Sequence, residues 1–448
     1  MNETIKLKLY LILGLLFLVA NSQFGQLKDQ NWAPNTRAVI DHVIAKNAAK
    51  KDAYAVFDWD NTSIFGDVQD MLLFYQIEHL AFKMTPEQFK YSFLHYTDTG
   101  QKENLEIPLI PFDESFCNVE GKPVNIVSVA EDCYNDYKYF YENFRSINPK
   151  SKKNLSLDKI KKTDQFKDFR TKLWFAYAAI YKTFSANVAY TWVMYISASG
   201  FYENEFRLIV EKALDWGIKR ECKKNYFDSP LSLGGKSGRI SNSKIDNYVL
   251  NTLRPTPEMG KLFHDLEKNK IPVYISTASL QNIVEVFAEN HKYGYGLPKN
   301  RVLGMRLKKD SNGKFLPHYD TSDGYTINSM GGKSININNL LVPKYKNNPV
   351  MIGGDSDGDT YMMSEFSGLN NSKMINNYEP IQLILVINRL KGGKIGDFCK
   401  IAAGQLESKK NNITNVVLQG RDENLGSWIP SERTIKLGKT TEHASLLP

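Results

Sequence analysis

Cysteine and histidine are scarce in this chain, and their scarcity limits the metal sites it can build. The 448 residues include four cysteines and seven histidines. The histidines are scattered without the H-x-x-x-H spacing of a zinc enzyme, and none of the cysteines are closely paired. Four cysteines fit an oxidising compartment. Three disulfide pairings are possible, the most local being Cys117 with Cys133, and free buried thiols are an equal alternative.

A strong excess of charge is also missing. The chain has 57 Lys and Arg residues against 49 Asp and Glu residues, a formal net charge of +8 that is spread along the sequence. The densest basic stretch, residues 150–162, is predicted to be a solvated loop. A net positive charge can favour anionic substrates. The basic residues are not gathered in a nucleic-acid-binding motif, however, so we expect no nucleic-acid partner.

The longest apolar run is at the amino terminus. Lys6 and Lys8 precede the apolar residues 9–19, and small residues follow at 20–22. This pattern predicts a signal peptide over residues 1–22 and a secreted or periplasmic protein that begins near Gln23, without a stable membrane anchor. An uncleaved anchor is the alternative.

The first candidate site follows the apolar run Ala53–Phe57 and consists of Asp58, Asp60 and Thr62. Such a run is typical of a buried parallel strand, whose carboxyl end is where open α/β sheets bind ligands. Two carboxylates there repel each other unless a cation lies between them, and Mg²⁺ prefers carboxylate and phosphate oxygens. Asp58 could then attack phosphorus while Asp60 transfers protons. A polar strand end or an Asx turn is the structural alternative.

Two further segments carry matching chemistry. The apolar run 270–275 ends in Ser276, a candidate phosphate-oxygen donor, and Ser279 is predicted to cap the helix that follows. Lys333 lies in a glycine-rich polar stretch, where a flexible backbone could bring its ammonium to a phosphate.

A third apolar run, residues 348–354, ends in a glycine turn with three carboxylates. Asp355 is the candidate metal ligand. Asp359 is predicted to lie behind it and to fix its geometry or that of Lys333.

In this order the residues resemble the haloacid dehalogenase-like superfamily of phosphotransferases. The resemblance covers residues 51–66 and 255–395. Its motifs are D-x-D-x-T, a strand ending in Ser, then Lys, then G-D-x-x-x-D, carried by Asp58, Asp60, Thr62, Ser276, Lys333, Gly354, Asp355 and Asp359. Within the superfamily the chain is similar to the phosphoserine phosphatase-like branch, and most similar to secreted bacterial phosphorylcholine phosphatases.

The resemblance implies a role for each residue. Asp58 is the nucleophile and Asp60 the acid and base, while Mg²⁺ is held by Asp58, the Asp60 carbonyl and Asp355. The substrate phosphate is bound by Ser276 and Lys333. Thr62 is a further candidate for binding the phosphate.

Two departures from the family pattern affect these assignments. Thr277 follows Ser276 where smaller residues are usual, so it competes for the phosphate role. The extra acid Asp357 could replace Asp359 as support for the metal site.

The spacing of the motifs predicts two units. About 200 residues separate the first motif from the second, far more than a crossover helix between neighbouring strands needs. We therefore expect an α/β, Rossmann-like parallel sheet with a large, mainly helical cap inserted between these motifs. The predicted bounds are 23–66 and 255–400 for the core, 67–254 for the cap, and 401–448 for a tail packed on the core.

Periodicity predicts several helices in and after the cap. They cover residues 70–82, 166–184 and 206–216, and a further one starts with Thr256 as cap and Pro257 at its first position. A strand is expected at 381–387. Trp59 should point away from Asp58 and Asp60 and pack in the core.

The predicted function is a secreted, magnesium-dependent phosphomonoesterase that forms an aspartyl phosphate and acts on phosphocholine or a similar small ester. A phosphatase for phosphoserine, or one of broad specificity, is the first alternative. A quaternary ammonium needs an aromatic face or a carboxylate. The cap offers the candidates Tyr75, Trp174, Tyr177, Trp192 and Tyr195, which the sequence does not rank. A secreted binding protein with an inactive site is the second alternative, although no catalytic residue is missing. The sequence does not indicate an oligomeric state.

Overall fold

The computed structural model describes residues 31–95, 112–250, 252–408, 412–441 and 446–447. The predicted signal peptide, residues 1–22, lies outside them. Within the described ranges, no helix is long and apolar enough to cross a membrane.

The centre of the molecule is a parallel sheet of six strands in the order β12-β11-β10-β1-β6-β7. All five neighbouring pairs are parallel. The strands are β1 (Ala55–Phe57), β6 (Val273–Leu280), β7 (Val302–Met305), β10 (Met351–Gly354), β11 (Leu383–Ile387) and β12 (Asn415–Gln419). The short strands are β2 (Ile64–Phe65), β3 (Lys224–Asn225), β4 (Val249–Leu250), β5 (Arg254–Pro255), β8 (Leu307–Lys309), β9 (Phe315–Tyr319), β13 (Arg421–Asp422) and β14 (Ser427–Trp428).

Helices cover both faces of this sheet and build the insertion. In chain order they are α1 (Pro34–Asn47), α2 (Val68–His79), α3 (Pro86–Leu94), α4 (Ile126–Asn143), α5 (Leu157–Lys161), α6 (Asp164–Thr183), α7 (Ala186–Ala198), α8 (Glu203–Ile218), α9 (Pro257–Lys268), α10 (Gln281–Glu289), α11 (Gly331–Asn336), α12 (Val342–Tyr345), α13 (Thr360–Glu365) and α14 (Gly393–Ser408). A π-helical stretch, Ile337–Leu341, joins α11 to α12.

Each face of the sheet packs into its own hydrophobic cluster. Phe57 and Ile275 point to one side, against helices that include α9 and α10. Val56 and Ile352 point to the other side, with residues of α13 and α14. Strands buried on both faces are uniformly apolar, which is why the motif strands were recognisable as continuous apolar runs.

The insertion starts after β2 and returns to the core at β5, and these two strands pair antiparallel. Helices α2 to α8 lie between them. Residues of α2 to α7 form a third hydrophobic cluster, whose members all lie in the insertion, whereas the buried residues of α8, such as Phe206 and Leu214, belong to a cluster of the core. The predicted α/β fold, a Rossmann-like parallel sheet with a large helical cap inserted between the first and second motifs, is therefore confirmed. The cap bounds of 67–254 stay a prediction.

The carboxyl-terminal part of the chain contributes to the central sheet. Residue 400 lies inside α14, and β12 pairs with β11 as an edge strand. The predicted tail from 401 onward thus supplies half of one core helix and one sheet strand.

The start of α10 differs from its prediction. Strand β6 continues to Leu280, and no side chain caps α10, so the expected cap by Ser279 is wrong. Thr256 precedes α9, with Pro257 in its first turn, as predicted, although the threonine side chain makes no capping hydrogen bond.

All four cysteines are free thiols, and Cys133 and Cys399 are buried. Of the two alternatives left open by the sequence, the structure therefore has the free thiols.

Candidate active site

The candidate site lies at the carboxyl ends of the four central strands of the sheet. Asp58 follows β1 directly and Asp355 follows β10. In a parallel sheet these ends meet at one edge, so residues far apart in sequence share one cavity. That cavity has a volume of about 480 Å³, and its walls include Asp58, Asp60, Lys333 and Asp355.

Asp58 is held from several directions. Its backbone N–H donates to the Gly353 carbonyl at 2.9 Å. Lys333 Nζ donates to its Oδ1 at 2.7 Å, and Thr62 Oγ1 donates to its Oδ2 at 3.0 Å. Burial, together with repulsion from Asp359, raises the pKa of Asp58 to about 8, although Lys333 opposes this shift. The ionised nucleophile therefore needs a cation beside it.

Asp60 accepts three hydrogen bonds. The Val68 N–H reaches its Oδ1 at 2.8 Å, and the hydroxyls of Ser279 and Thr277 reach its Oδ2 at 2.7 and 3.5 Å. Burial, with repulsion from Asp67 and Asp58, raises the pKa of Asp60 well above its usual value. A carboxyl group that keeps its proton is suited to donate it to a leaving oxygen.

Lys333 lies on the short helix α11, so the predicted flexible backbone is wrong here. The side chain is 3% exposed and donates to Asp58 Oδ1 and Asp359 Oδ1, both at 2.7 Å. Burial disfavours the ammonium, but the two carboxylates outweigh it and raise the pKa of Lys333. The lysine is a fixed positive charge between them.

Asp359 orients both Lys333 and the loop after β10. Its Oδ2 accepts the backbone N–H groups of Asp355 and Ser356, both at 3.1 Å. Asp357 makes neither contact. It accepts the Ile395 N–H at 2.8 Å, so the role considered for it as a substitute for Asp359 is not supported by its position.

Asp355 is ionised and lies among cations. Its Oδ2 accepts a hydrogen bond from Arg389 at 2.5 Å and lies 3.5 Å from Lys391 Nζ, while Thr62 donates to its Oδ1 at 3.1 Å. Burial acts to raise the pKa of Asp355, but Arg389 and Lys391 outweigh it and lower that pKa to about 2.

Asp58, Asp355 and Asp359 could hold a metal ion, since one oxygen of each lies within 4.8 Å of the others. A buried set of carboxylates offers the hard oxygen ligands that Mg²⁺ prefers. The residues present therefore fit the predicted ion. The side chain of Asp60 is outside this triad, and its predicted contribution was the backbone carbonyl.

Three predicted phosphate-binding residues do not line the cavity. Thr62, Ser276 and Thr277 are fully buried. The Ser276 hydroxyl accepts from Asn328 Nδ2 at 3.2 Å, and the Thr62 hydroxyl joins Asp58 to Asp355. The predicted contact of these three residues with the substrate phosphate stays a prediction.

Strand β6 presents Ala278 and Ser279 to the cavity instead. A continuous strand alternates its side chains, but β6 is irregular between Ser276 and Leu280, so alternation does not place its last residues. At this irregularity the side chain of Ser279 points toward Asp60. No signal in the sequence indicates the irregularity.

Trp59 is fully buried, with its ring 5.5 Å from that of Phe287 and 4.9 Å from that of Tyr295, which confirms the expected packing role.

The cap covers the cavity with residues of α6, α7 and the start of α2. Asp67, Tyr181, Asn187 and Tyr190 line it, and Tyr190 donates to Asp67 Oδ2 at 2.8 Å. None of the cap aromatics considered from the sequence is among the lining residues, namely Tyr75, Trp174, Tyr177, Trp192 and Tyr195.

Sequence reasoning missed the cations Arg389 and Lys391. Both follow the predicted strand 381–387 at the same sheet edge as the motifs, and that position was the available signal. Arg421, which contacts Asn61 in the first motif, had no such signal because it lies in the tail.

Comparisons with known proteins identify the fold but not the activity. No protein-family model matches the chain, and no curated protein does. A conserved protein of unknown function from Anaerococcus prevotii DSM 20548 is similar in structure, with a TM-score of 0.76 and 28% identity over 90% of this chain and 97% of that one.

Two other solved structures are much more distant. A protein of unknown function from Bordetella pertussis Tohama I has a TM-score of 0.36 and 9% identity over 82% of this chain and 97% of that one. A phosphoserine phosphohydrolase-like protein from Francisella tularensis subsp. tularensis SCHU S4 has a TM-score of 0.30 and 10% identity, covering 75% and 87% of the two chains.

Proposed function

We propose that this protein is a secreted, magnesium-dependent phosphomonoesterase of the haloacid dehalogenase-like superfamily that forms an aspartyl phosphate on Asp58. One observation carries the proposal. Asp58, Asp60, Lys333 and Asp355 come from three separate segments and line one cavity at the carboxyl edge of the sheet. That combination of nucleophile, proton donor, fixed cation and metal-ligating carboxylate is what phosphoryl transfer through an aspartate requires.

In the first half-reaction, an Asp58 carboxylate oxygen attacks phosphorus and the bond to the ester oxygen breaks. Asp60 donates its proton to that oxygen, and the alcohol leaves. The raised pKa of Asp60 supports this role, since it favours the protonated form that a general acid needs.

In the second half-reaction, Asp60 takes a proton from water, and the water oxygen attacks phosphorus. The bond between phosphorus and the Asp58 oxygen breaks, which releases inorganic phosphate and restores the carboxylate. The hydrogen bonds from Val68 and Ser279 keep the Asp60 carboxylate in one place through both steps.

Positive charge offsets the charge of the transferring phosphoryl group. Lys333 supplies a buried ammonium beside Asp58, and preorganised charge in such a site is worth more than in water. Mg²⁺, held by Asp58, the Asp60 carbonyl and Asp355, would supply the remaining positive charge.

As the substrate we propose phosphocholine or a similar small ester, from which an alcohol that carries an ammonium group leaves. The cap wall offers a carboxylate, Asp67, and the rings of Tyr181 and Tyr190, which are groups that suit an ammonium. Phosphoserine is the second candidate because Arg389 and Lys391 also line the cavity and could face a carboxylate.

The test is phosphate release by the mature protein from phosphocholine, phosphoethanolamine, phosphoserine and an aryl phosphate, each with Mg²⁺ and with a chelator. We expect release that requires Mg²⁺, and the preferred ester identifies the leaving group. Asp58→Asn should abolish release while the circular dichroism spectrum and melting temperature stay close to wild type. The exposed Asp323→Asn is the matched control.

Turnover that persists in Asp58→Asn would disprove the aspartyl phosphate. If wild-type protein releases phosphate from none of the esters, the alternative of a secreted binding protein with an inactive site takes precedence.

A further inference from the structure

The segment that follows β12 returns over the catalytic edge of the sheet. Two strands, β11 and β10, lie between β12 and β1 in the sheet, yet Arg421, two residues after β12 ends, contacts Asn61 in the first motif. The parallel arrangement makes this possible, since all the strands end at the same edge.

Arg421 is a buried cation with defined partners. It is 3% exposed, and its guanidinium donates to Asn61 Oδ1 at 3.1 Å and to Glu423 Oε1 at 2.9 Å. The same group lies 4.8 Å from the centre of the Phe65 ring. A buried ion pair adds little stability compared with apolar residues of the same volume, so fold stability alone does not account for the arginine.

Asn61 lies between Asp60 and Thr62 and lines the cavity. Its backbone has a φ of 60°, in the left-handed region, and its N–H donates to the Gly66 carbonyl at 3.0 Å. Asparagine tolerates this conformation better than most residues. Arg421 holds the side chain of Asn61 by this hydrogen bond. The backbone of Asn61 joins Asp60, the proposed acid, to Thr62, whose hydroxyl donates to both Asp58 and Asp355.

The same segment also fixes Arg389. The Asn388 N–H donates to the Gln419 carbonyl at 2.8 Å, and Lys436 Nζ donates to the Arg389 carbonyl at 3.3 Å. Thr434 donates to the Asn388 carbonyl. Since Arg389 donates to Asp355, the segment acts on the site at two places, through Asn61 and through Arg389.

We propose that residues 419–436 form part of the catalytic centre and that Arg421 is a positioning residue, which acts through Asn61 on the backbone between Asp60 and Thr62. The inference rests on the proposed function for its kinetic consequence. It gives the tail a part in positioning the site, which the four sequence motifs do not predict.

The test is a double-mutant cycle of Arg421→Met and Asn61→Gly. Methionine keeps apolar contact with Phe65, and Glu423 keeps Lys436 as its ion-pair partner. Glycine keeps the left-handed backbone and removes only the amide. Lys439→Met, at an exposed position just after this segment, is the control. Each variant is measured for kcat and KM on the aryl phosphate, for Mg²⁺ affinity by calorimetry, and for melting temperature.

We expect each single variant to lower kcat about tenfold or more, since small misplacements of reacting groups have effects of this size. KM should change much less. The double variant should be no slower than the slower single variant, because both changes remove one interaction. Mg²⁺ affinity should fall in both single variants and stay unchanged in Lys439→Met.

A lower melting temperature with unchanged kcat and Mg²⁺ affinity would overturn the proposal and leave Arg421 a structural contact. Independent, multiplying effects on kcat would also overturn it. If the wild type hydrolyses no ester, the proposed function fails, and the Mg²⁺ affinities of the same variants still decide whether Arg421 positions the site.

Discussion

At the scale of single residues, Lys333 is the charge on which the nucleophile depends. It lies between Asp58 and Asp359, and all three side chains are nearly inaccessible to solvent. Two buried carboxylates without a cation repel each other and lose the solvation that water would give them. The lysine therefore serves folding as well as the proposed chemistry.

Lys333→Met should be inactive and destabilised by about 3–5 kcal/mol, the usual cost of removing one partner of a buried ion pair. Chemical denaturation and phosphate release measure the two effects. The exposed Lys344→Met, on the next helix, should change neither by much. A Lys333→Met variant of wild-type stability would show that the carboxylates do not need this charge.

Asp357 and Asp359 are two residues apart but have different partners. Asp359→Asn should lower kcat by about 100-fold or more, because it weakens the hydrogen bonds that fix Lys333 and the loop after β10. Asp357→Asn should have a much smaller effect, since its partner is the start of α14. Steady-state kinetics of the two variants compare them directly, and equal effects would contradict the assignment of Asp359 as the supporting acid.

At the scale of single elements, strand β10 depends on glycine at its centre. A Cβ at Gly353 would lie 2.6 Å from Cδ1 of Phe57 on the neighbouring strand. That distance is too short for any real contact, so Phe57 or the strand would have to move.

Gly353→Ala should therefore destabilise the protein by about 1–3 kcal/mol through overpacking. Gly404→Ala, in α14, is the control because nothing lies within 4 Å of its added Cβ and alanine favours a helix. Thermal unfolding of both variants tests this. An unchanged melting temperature for Gly353→Ala would mean that the sheet accommodates the methyl group.

Helices α4 and α6 of the cap enclose a cluster of charged side chains with more acids than bases. Its members are Asp132, Asp136, Asp168 and Lys172. Asp136 is 5% exposed, and burial, together with repulsion from Asp168, raises its pKa to about 9 although Lys172 opposes the shift. Between about pH 4 and pH 9 the folded protein holds a proton here that the unfolded chain releases. Its contribution to stability is thus complete at low pH and is lost as the pH rises through this window.

Asp136→Asn should remove this loss of stability at rising pH. The melting temperature of the variant relative to wild type should increase progressively from pH 5 to pH 9. Glu142→Gln, at an exposed position of the same helix, should show a constant difference. A constant difference for Asp136→Asn as well would show that Asp136 is ionised in the folded protein.

At the scale of the whole molecule, a bound metal should stabilise the fold by mass action. Mg²⁺ in excess over its dissociation constant should raise the melting temperature, and a chelator should reverse the change. Asp355→Asn should abolish the response, whereas Asp323→Asn should keep it. An identical response in Asp355→Asn would place the metal elsewhere.

The parts that the sequence predicted are those with local signals. Continuous apolar runs indicated β1, β6, β10 and β11, and periodicity indicated α2, α6 and α8. The order of the motifs indicated which strand ends share one edge. What could not be predicted depends on contacts between distant residues, such as Ser279 with Asp60, 219 residues apart, and Arg421 with Asn61, 360 residues apart. No local pattern encodes these pairs.

The position of β1 in the sheet has a consequence for biosynthesis. Its two neighbours, β6 and β10, begin at residues 273 and 351, so the ribosome makes the whole cap before either partner of β1 exists. The cap cluster is built from nearly contiguous chain and can close during translation. The catalytic edge, in contrast, assembles only after β10, β11 and the segment after β12 have been made.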